Sequence, residues 1–248
     1  MLRKNHNLFI DKSLVAVSER LKDFSLSIIR KKITMLKEDT VLQKKISIAF
    51  SGGNSPKIFF KLFANALTDE DLAYLEFFQV DERCTINTDY SLFNRQLIQK
   101  YFLARCSTTV KFNFIELLNK NNSPKKIAKT YSNEIRHFFS KNNSQSFDIV
   151  FLGVGNDGHT ASIFPASNEL LNAKNISEYA IATQAPTTAS PHVPRITLSL
   201  KTINDADNIL VLLSGQQKLD LLTKNINESL PIFHINSKAN FFINNKEK

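Results

Sequence analysis

The stretch from Phe147 to Pro165, FDIVFLGVGNDGHTASIFP, decides the fold of this chain. It opens with an apolar run, Phe147 to Leu152, that has no polar alternation and therefore predicts a strand buried on both faces. The run leads directly into a loop with three glycines, an aspartate and a histidine. In open α/β sheets, ligands bind in loops at the carboxyl ends of the strands. The stretch therefore predicts an α/β fold with a site at this strand end.

Apolar runs elsewhere predict further strands, and apolar residues at intervals of three and four predict the helices between them. The predicted strands cover residues 46–50, 75–80, 110–115, 147–152, 179–183, 196–200, 208–213 and 232–235. The predicted helices cover about 13–36, 56–67, 90–102, 123–141 and 216–226. Strands of this kind, interleaved with helices, indicate a mostly parallel sheet covered on both faces.

The chain is expected to form one domain over residues 1–248, because it has no internal repeat and no linker rich in Pro and Gly. The Asn- and Lys-rich end, from about residue 238 to 248, is expected to be a flexible tail. No apolar run approaches the roughly 18 residues of a membrane span. The start of the chain lacks the apolar region of a secretory signal, so Cys84 and Cys106 are expected to be reduced thiols of a cytoplasmic protein.

The chain carries 32 basic and 23 acidic residues, which gives a net charge of +9. This excess favours an anionic partner such as a phosphorylated metabolite, although a lysine-rich solvated surface explains it equally well. No nucleic-acid-binding motif accompanies the charge, so we expect no nucleic-acid partner.

Only six glycines occur in the 248 residues, and they cluster after predicted strands. The turn Ser51-Gly52-Gly53 lies between a strand and a helix, where free backbone N–H groups and the positive end of the helix favour a phosphate. An ordinary tight turn is the alternative. Gly215 similarly precedes a helix that carries Lys218 in its first turn.

The segment from Gly153 to Gly158 matches G-x-G-x-x-G, which is typical of dinucleotide-binding loops. We reject that interpretation because Pro165 interrupts the helix that should follow. The loop presents Asp157 and His159 instead, a carboxylate and an imidazole suited to acid–base chemistry near neutral pH. A purely structural hydrogen bond of His159 is the alternative.

Two carboxylates and a guanidinium follow another strand, in Asp81-Glu82-Arg83. A salt-bridged strand end would explain them without any function. Arg195, which precedes a predicted strand, carries no functional signal by itself.

Five segments of the chain, taken in order, resemble the 6-phosphogluconolactonase family: SGGNSPKIFFKL, VDERCT, FDIVFLGVGNDGHTASIFP, RITLSLKTIN and VLLSGQQK. The resemblance implies a single-domain, Rossmann-like three-layer α/β sandwich. It implies hydrolysis of 6-phosphogluconolactone to 6-phosphogluconate in the oxidative pentose phosphate pathway, without a cofactor or a metal. The expected partner is a small phosphosugar lactone, with no membrane partner, and the expected state is a monomer or a small homo-oligomer.

When the functional positions of the family are transferred to this sequence, the resemblance implies a phosphate site. The phosphate would be held by Ser51, Gly52 and Gly53, together with Arg195 and Lys218.

The resemblance also implies that His159 is the general base, with Asp157 beside it, and that Asp81 and Arg83 line the sugar end. Gly155 would contact the substrate, and backbone N–H groups of a nearby glycine loop would stabilise the oxyanion. Whether Asp157 or Asp81 orients His159 is left open.

The chain departs from the family pattern at Leu92, where Asn is common after Ser91, and at Ser55, where Thr is common. Two alternative functions remain. Glucosamine-6-phosphate deaminases are similar but carry a Glu five residues after the loop histidine, where this chain has Phe164. A non-catalytic sugar-phosphate sensor would reuse the same fold.

Overall fold

The computed structural model describes residues 6–38, 44–86, 93–224 and 229–245. Its strands are β1 (Asn7–Asp11), β2 (Ile46–Phe50), β3 (Leu75–Gln79), β4 (Asp81–Arg83), β5 (Phe112–Asn113), β6 (Ile149–Gly153), β7 (Ala180–Gln184), β8 (Pro194–Leu198), β9 (Asn208–Ser214) and β10 (Asn240–Asn244). Its helices are α1 (Leu14–Glu38), α2 (Lys57–Ala66), α3 (Asp69–Tyr74), α4 (Asn94–Tyr101), α5 (Pro124–Lys141), α6 (Asn168–Leu171), α7 (Leu200–Asp205) and α8 (Gln216–Lys224).

Seven strands form a parallel sheet in the order β1-β10-β9-β6-β2-β3-β5. The predicted α/β class with a mostly parallel sheet is therefore confirmed. The strand that opens the deciding stretch, β6, is the fourth of the seven. Its neighbours are β2 and β9, and the loops that follow all three strands meet at one edge of the sheet.

Successive residues of the central strands point to opposite faces of the sheet and build two separate cores. Phe50 and Phe151 stand on one face with their ring centroids 5.2 Å apart, and α1 and α2 cover them. Phe78 and Val150 stand on the other face, under α5. This arrangement is the predicted three-layer sandwich.

A second, smaller sheet lies on the α5 side and has the antiparallel order β4-β8-β7. Its strands β7 and β8 were expected to belong to the mostly parallel sheet, and that expectation is wrong. Apolar runs identify strands but do not specify their partners, because pairing depends on contacts distant in sequence. The segment Asp81–Arg83 forms an edge strand here and pairs with β8.

Two predictions near the chain ends are also wrong, and one strand was not predicted. Residues 232–235 were predicted as a strand, but Pro231–His234 form a 3₁₀ turn, because a short apolar run fits a buried turn as well as a strand. Residues 240–244 were predicted to lie in a flexible tail, but they form β10 between β1 and β9, with Phe241 and Phe242 fully buried. No strand was predicted at β1, which pairs with β10.

The remaining boundaries agree with the prediction to within a few residues. The predicted helix 90–102 corresponds to α4, and its first positions lie outside the described residues. Cys84 and Cys106 are free thiols, and burial raises the pKa of each to about 11. Among the helices that the structure describes, none combines the length and the apolar character needed to cross a membrane.

Candidate active site

A cavity of about 200 Å³ opens where β2, β3, β6 and β9 end. Its wall is built by residues from the four loops that follow these strands and from the start of α4: Ser51, Gly52, Gly53, Asn54, Ser55, Pro56, Asp81, Arg83, Asn94, Gly153, Val154, Gly155, His159, Ala161 and Lys218. The sequence placed the candidate residues after the same four strands. The turn at Ser51 and the ring of His159 therefore face one crevice.

The turn Ser51-Gly52-Gly53 connects β2 to the start of α2 and forms one wall of the cavity. Gly53 has a φ of +95°, a conformation that glycine adopts without strain. The Ser51 hydroxyl is buried and has no hydrogen-bond partner among the described residues. The backbone N–H groups of Gly52, Gly53 and Asn54 donate no hydrogen bond within the described part of the chain. The turn thus offers several unused donors to an anion.

His159 also lines the cavity and is held in place by its own loop. Asp157 Oδ1 lies 2.5 Å from His159 Nδ1 and also accepts a 3.1 Å hydrogen bond from the His159 backbone N–H. The Gly155 N–H donates to the His159 carbonyl over 2.8 Å, which closes the loop. A Cβ on Gly155 would lie 2.2 Å from the imidazole, so only glycine leaves room for the ring.

The charge on Asp157 fixes the tautomer of the imidazole. Burial disfavours ionisation of Asp157, but the hydrogen bonds and the charge interaction with His159 outweigh it, so the pKa of the carboxyl is lowered. An ionised carboxylate only accepts hydrogen bonds, so Nδ1 of His159 must carry the proton. Nε2 is then left with a lone pair that can take a proton from water.

Asp81 and Arg83 lie on β4 and line the cavity. Asp81 is 7% exposed, and its Oδ2 accepts a 2.7 Å hydrogen bond from the Ser162 hydroxyl. The carboxylate between them, Glu82, points away from the cavity and caps the start of α4 by accepting from the backbone N–H groups of Asn94 and Arg95. Burial raises the pKa of Glu82, against the effect of these hydrogen bonds.

Two further cations were expected at the phosphate, and the structure places them differently. Lys218 lines the cavity from the first turn of α8, and burial lowers its pKa. Arg195 does not line it: the residue lies on β8, directly across from Arg83, and is 4% exposed. Its Nη2 donates to the Pro191 carbonyl over 2.8 Å, while Nε and Nη1 have no hydrogen-bond partner in the part of the chain that the structure describes. Burial and the neighbouring charge of Arg83 lower the pKa of Arg195 to about 10.

Asn94 is a cavity residue that the sequence did not single out. Its side-chain amide donates to the Asp81 carbonyl over 3.0 Å, and a Cβ on Gly52 would lie 2.0 Å from its Oδ1. Gly52 is thus required by the close approach of Asn94. The sequence pattern drew attention to Leu92, which lies outside the described residues, although an asparagine stands two positions further along.

One edge of the α/β sheet carries a turn with free donors for an anion and, beside it, a His–Asp pair. These features are typical of α/β proteins with an acid–base site for a small anionic ligand. Within that class, the chain belongs to the glucosamine-6-phosphate isomerase/6-phosphogluconolactonase family, whose sequence pattern matches residues 20–243.

Individual proteins and structures agree with this assignment. A 6-phosphogluconolactonase of Helicobacter pylori strain 26695 is 32% identical over 218 residues, which cover 87% of this chain and 83% of that protein. A putative 6-phosphogluconolactonase of Caenorhabditis elegans is 33% identical over 182 residues, which cover 71% of this chain and 64% of that protein. The crystal structure of a 6-phosphogluconolactonase from Shewanella baltica superposes with a TM-score of 0.80 at 26% identity, covering 98% of this chain and 99% of that one.

Proposed function

We propose that the protein hydrolyses 6-phospho-D-glucono-1,5-lactone to 6-phospho-D-gluconate, a step of the oxidative pentose phosphate pathway, with His159 as the general base. The observation that carries the proposal is the shared cavity of the Ser51 turn and His159. The 6-phosphogluconolactonase names of the relatives indicate the substrate. The geometry of the cavity supports the proposed roles of the residues.

The phosphate of the substrate binds at the Ser51 turn. The unused N–H groups of Gly52 and Gly53, the Ser51 hydroxyl and the Lys218 ammonium supply donors and positive charge at this end of the cavity. The buried guanidinium of Arg195, which lies behind Arg83, adds positive charge that favours binding of the phosphate. Binding at a fixed phosphate site turns the ring ester toward His159 and makes the reaction effectively intramolecular.

His159 Nε2 removes a proton from a water molecule as the water oxygen attacks the lactone carbonyl. The resulting oxyanion is stabilised by the charge of Arg83, because the Gly155 N–H already donates to the His159 carbonyl and is not available to it. The protonated His159 then donates its proton to the ring oxygen as the C–O bond breaks. Asp157 keeps the imidazole in the required tautomer and stabilises the imidazolium, in the manner of the Asp of a catalytic triad.

The two carboxylates of the site therefore have different roles. Asp157 is bonded to His159, whereas Asp81 is bonded to Ser162. No hydrogen bond reaches Oδ1 of Asp81 from the residues that the structure describes. That oxygen is available to accept a hydrogen bond from a sugar hydroxyl.

Phe164 argues against the deaminase alternative. Its ring lies 4.9 Å from the His159 ring and is 4% exposed, so an apolar surface packs against the imidazole where the deaminases carry a Glu. A site with one imidazole and one supporting carboxylate is suited to activating water.

The chain is further proposed to act as one domain in the cytoplasm, as a monomer or small homo-oligomer without a nucleic-acid partner. Free Cys84 and Cys106 thiols are in keeping with a reducing compartment.

The test is a timed assay on freshly generated 6-phosphogluconolactone, corrected for spontaneous ring opening, with wild type and His159→Ala side by side. General base catalysis contributes about 100-fold or more, so we expect kcat of the variant to fall by at least that factor. His137→Ala is the matched control, because His137 lies exposed on α5, away from the cavity.

Near-normal turnover by His159→Ala would contradict the assigned base. Release of ammonia from glucosamine 6-phosphate would favour the deaminase. Tight binding of 6-phosphogluconate by a wild type that turns over no lactone would favour the sensor.

A further inference from the structure

Ser162 occupies an unusual position in the catalytic loop, three residues after His159. It is 3% exposed, and each of its three polar groups bonds to a different strand of the small sheet. Its hydroxyl donates to Asp81 on β4 over 2.7 Å, its N–H donates to Thr197 Oγ1 on β8 over 3.2 Å, and its carbonyl accepts from Thr183 Oγ1 on β7 over 3.0 Å.

We propose that Ser162 is a positioning residue: it orients the Asp81 carboxylate for a sugar hydroxyl and fixes the distance between Asp81 and His159. This inference rests on the proposed function, because it takes Asp81 to contact the sugar and His159 to be the base.

The reasoning starts from the carboxylate of Asp81. Oδ2 is held by Ser162, and Oδ1 makes no hydrogen bond within the described residues. Fixing one oxygen fixes the direction in which the other oxygen presents its lone pairs. The χ2 torsion of Asp is broad, so without the Ser162 hydroxyl the carboxylate is free to rotate about it. Oδ1 would then no longer be held in the direction of the sugar hydroxyl.

The second part of the reasoning concerns the loop. His159 and Asp81 belong to segments that are distant in sequence, one following β6 and the other following β3. The hydrogen bonds of Ser162 join these segments and bury the junction, since Thr197 is fully buried and Thr183 is 5% exposed. Displacement of a reacting group by about 1 Å can cost about 100-fold in rate. The junction at Ser162 therefore affects the rate by setting the position of the bound sugar relative to the His159 imidazole.

The test uses four full-length proteins: wild type, Ser162→Ala, Asp81→Ala and the double variant. We expect Ser162→Ala to raise KM for the lactone, and Kd for 6-phosphogluconate measured by calorimetry, by about tenfold, the lower end of what removal of an orienting hydrogen bond costs. In the Asp81→Ala background the same substitution should change Kd by less than twofold, because the group that Ser162 orients is gone.

A merely structural role would give a different pattern. Ser162→Ala would then affect Kd equally with and without Asp81, and that result would overturn the inference. Ser25→Ala on α1 is the matched control, since Ser25 is fully buried with one hydrogen bond to the Leu21 carbonyl and does not line the cavity. It should lower Tm without changing KM.

If Ser162→Ala does not fold, Ser162→Cys is measured in its place. Cysteine keeps the shape of serine with a somewhat larger atom and is a weak donor, so KM and Kd should again rise only when Asp81 is present. The inference and the proposed function fail separately: a wild type without lactonase activity refutes the function, whereas an active wild type with an unaffected Ser162→Ala refutes only the role of Ser162.

Discussion

At the scale of single residues, the site requires one position without a side chain as much as it requires its polar side chains. Gly155 has ordinary backbone angles, and what requires glycine there is the imidazole of His159 packed against its Cα. The sequence could identify Gly155 as exceptional because glycine is scarce in this chain. It could not identify the cause, because the ring that fills the space belongs to a residue four positions away.

Gly155→Ala is therefore expected to displace the His159 ring, because the added methyl would lie 2.2 Å from it. A shift of about 1 Å in the base costs about 100-fold, so we expect kcat to fall by about that factor while Tm changes little. Gly153→Ala is the comparison variant: it adds the same methyl at the end of β6, where no atom lies within 4 Å, and therefore leaves the ring in place. Because Gly153 lines the cavity, we expect this variant to raise KM, whereas its loss of kcat should be much smaller. Equal losses in the two variants would show that steric exclusion by the ring is not the reason for Gly155.

At the scale of elements, the small antiparallel sheet was the least predictable part of the molecule. Its strands β7 and β8 were visible as apolar runs, and Asp81–Arg83 was visible as a charged strand end. Their assembly was not, because pairing of Arg83 with Arg195 joins residues more than a hundred positions apart. The consequence for the site is a pair of adjacent guanidiniums, one at the cavity wall and one buried behind it.

This arrangement predicts a pH dependence of anion binding above neutrality. Burial and Arg83 lower the pKa of Arg195 to about 10, and burial lowers the pKa of Lys218 as well. Both groups favour a phosphate only while they are protonated, so positive charge at the site is lost as pH rises through these pKa values. We expect Kd for 6-phosphogluconate, measured by calorimetry, to rise by at least tenfold between pH 8 and pH 11.

Lys218→Gln should weaken binding at pH 8 and make the remaining dependence on pH shallower, because one titrating cation is gone. Far-ultraviolet circular dichroism at each pH provides the control for folding. An affinity that stays constant to pH 11 in a folded protein would contradict a contribution from these two cations.

At the scale of the whole molecule, the sequence predicted the centre of the fold better than its ends. The continuously apolar runs of β6, β2 and β9 identify strands covered on both faces, and the loops that follow them contain most of the candidate site. The two ends, β1 and β10, were missed because each is short and lies among Asn and Lys residues. Their identity as strands depends on pairing with each other and with β9, a relation that no local pattern contains.

Truncation after Ser237 is expected to prevent folding, although the sequence alone suggests that this end is dispensable. It would remove β10, whose Phe241, Phe242 and Ile243 are fully buried, and would leave β1 without its partner. Burial of three such side chains contributes about 5 kcal/mol or more, comparable to the total stability of a typical domain at about 5–15 kcal/mol. A chain ending at Asn245 keeps every hydrogen bond of β10 and serves as the matched control. Circular dichroism and thermal denaturation of the two truncated chains distinguish the cases: a cooperative transition near the wild-type Tm in the shorter chain would mean that β10 is not part of the cooperative fold.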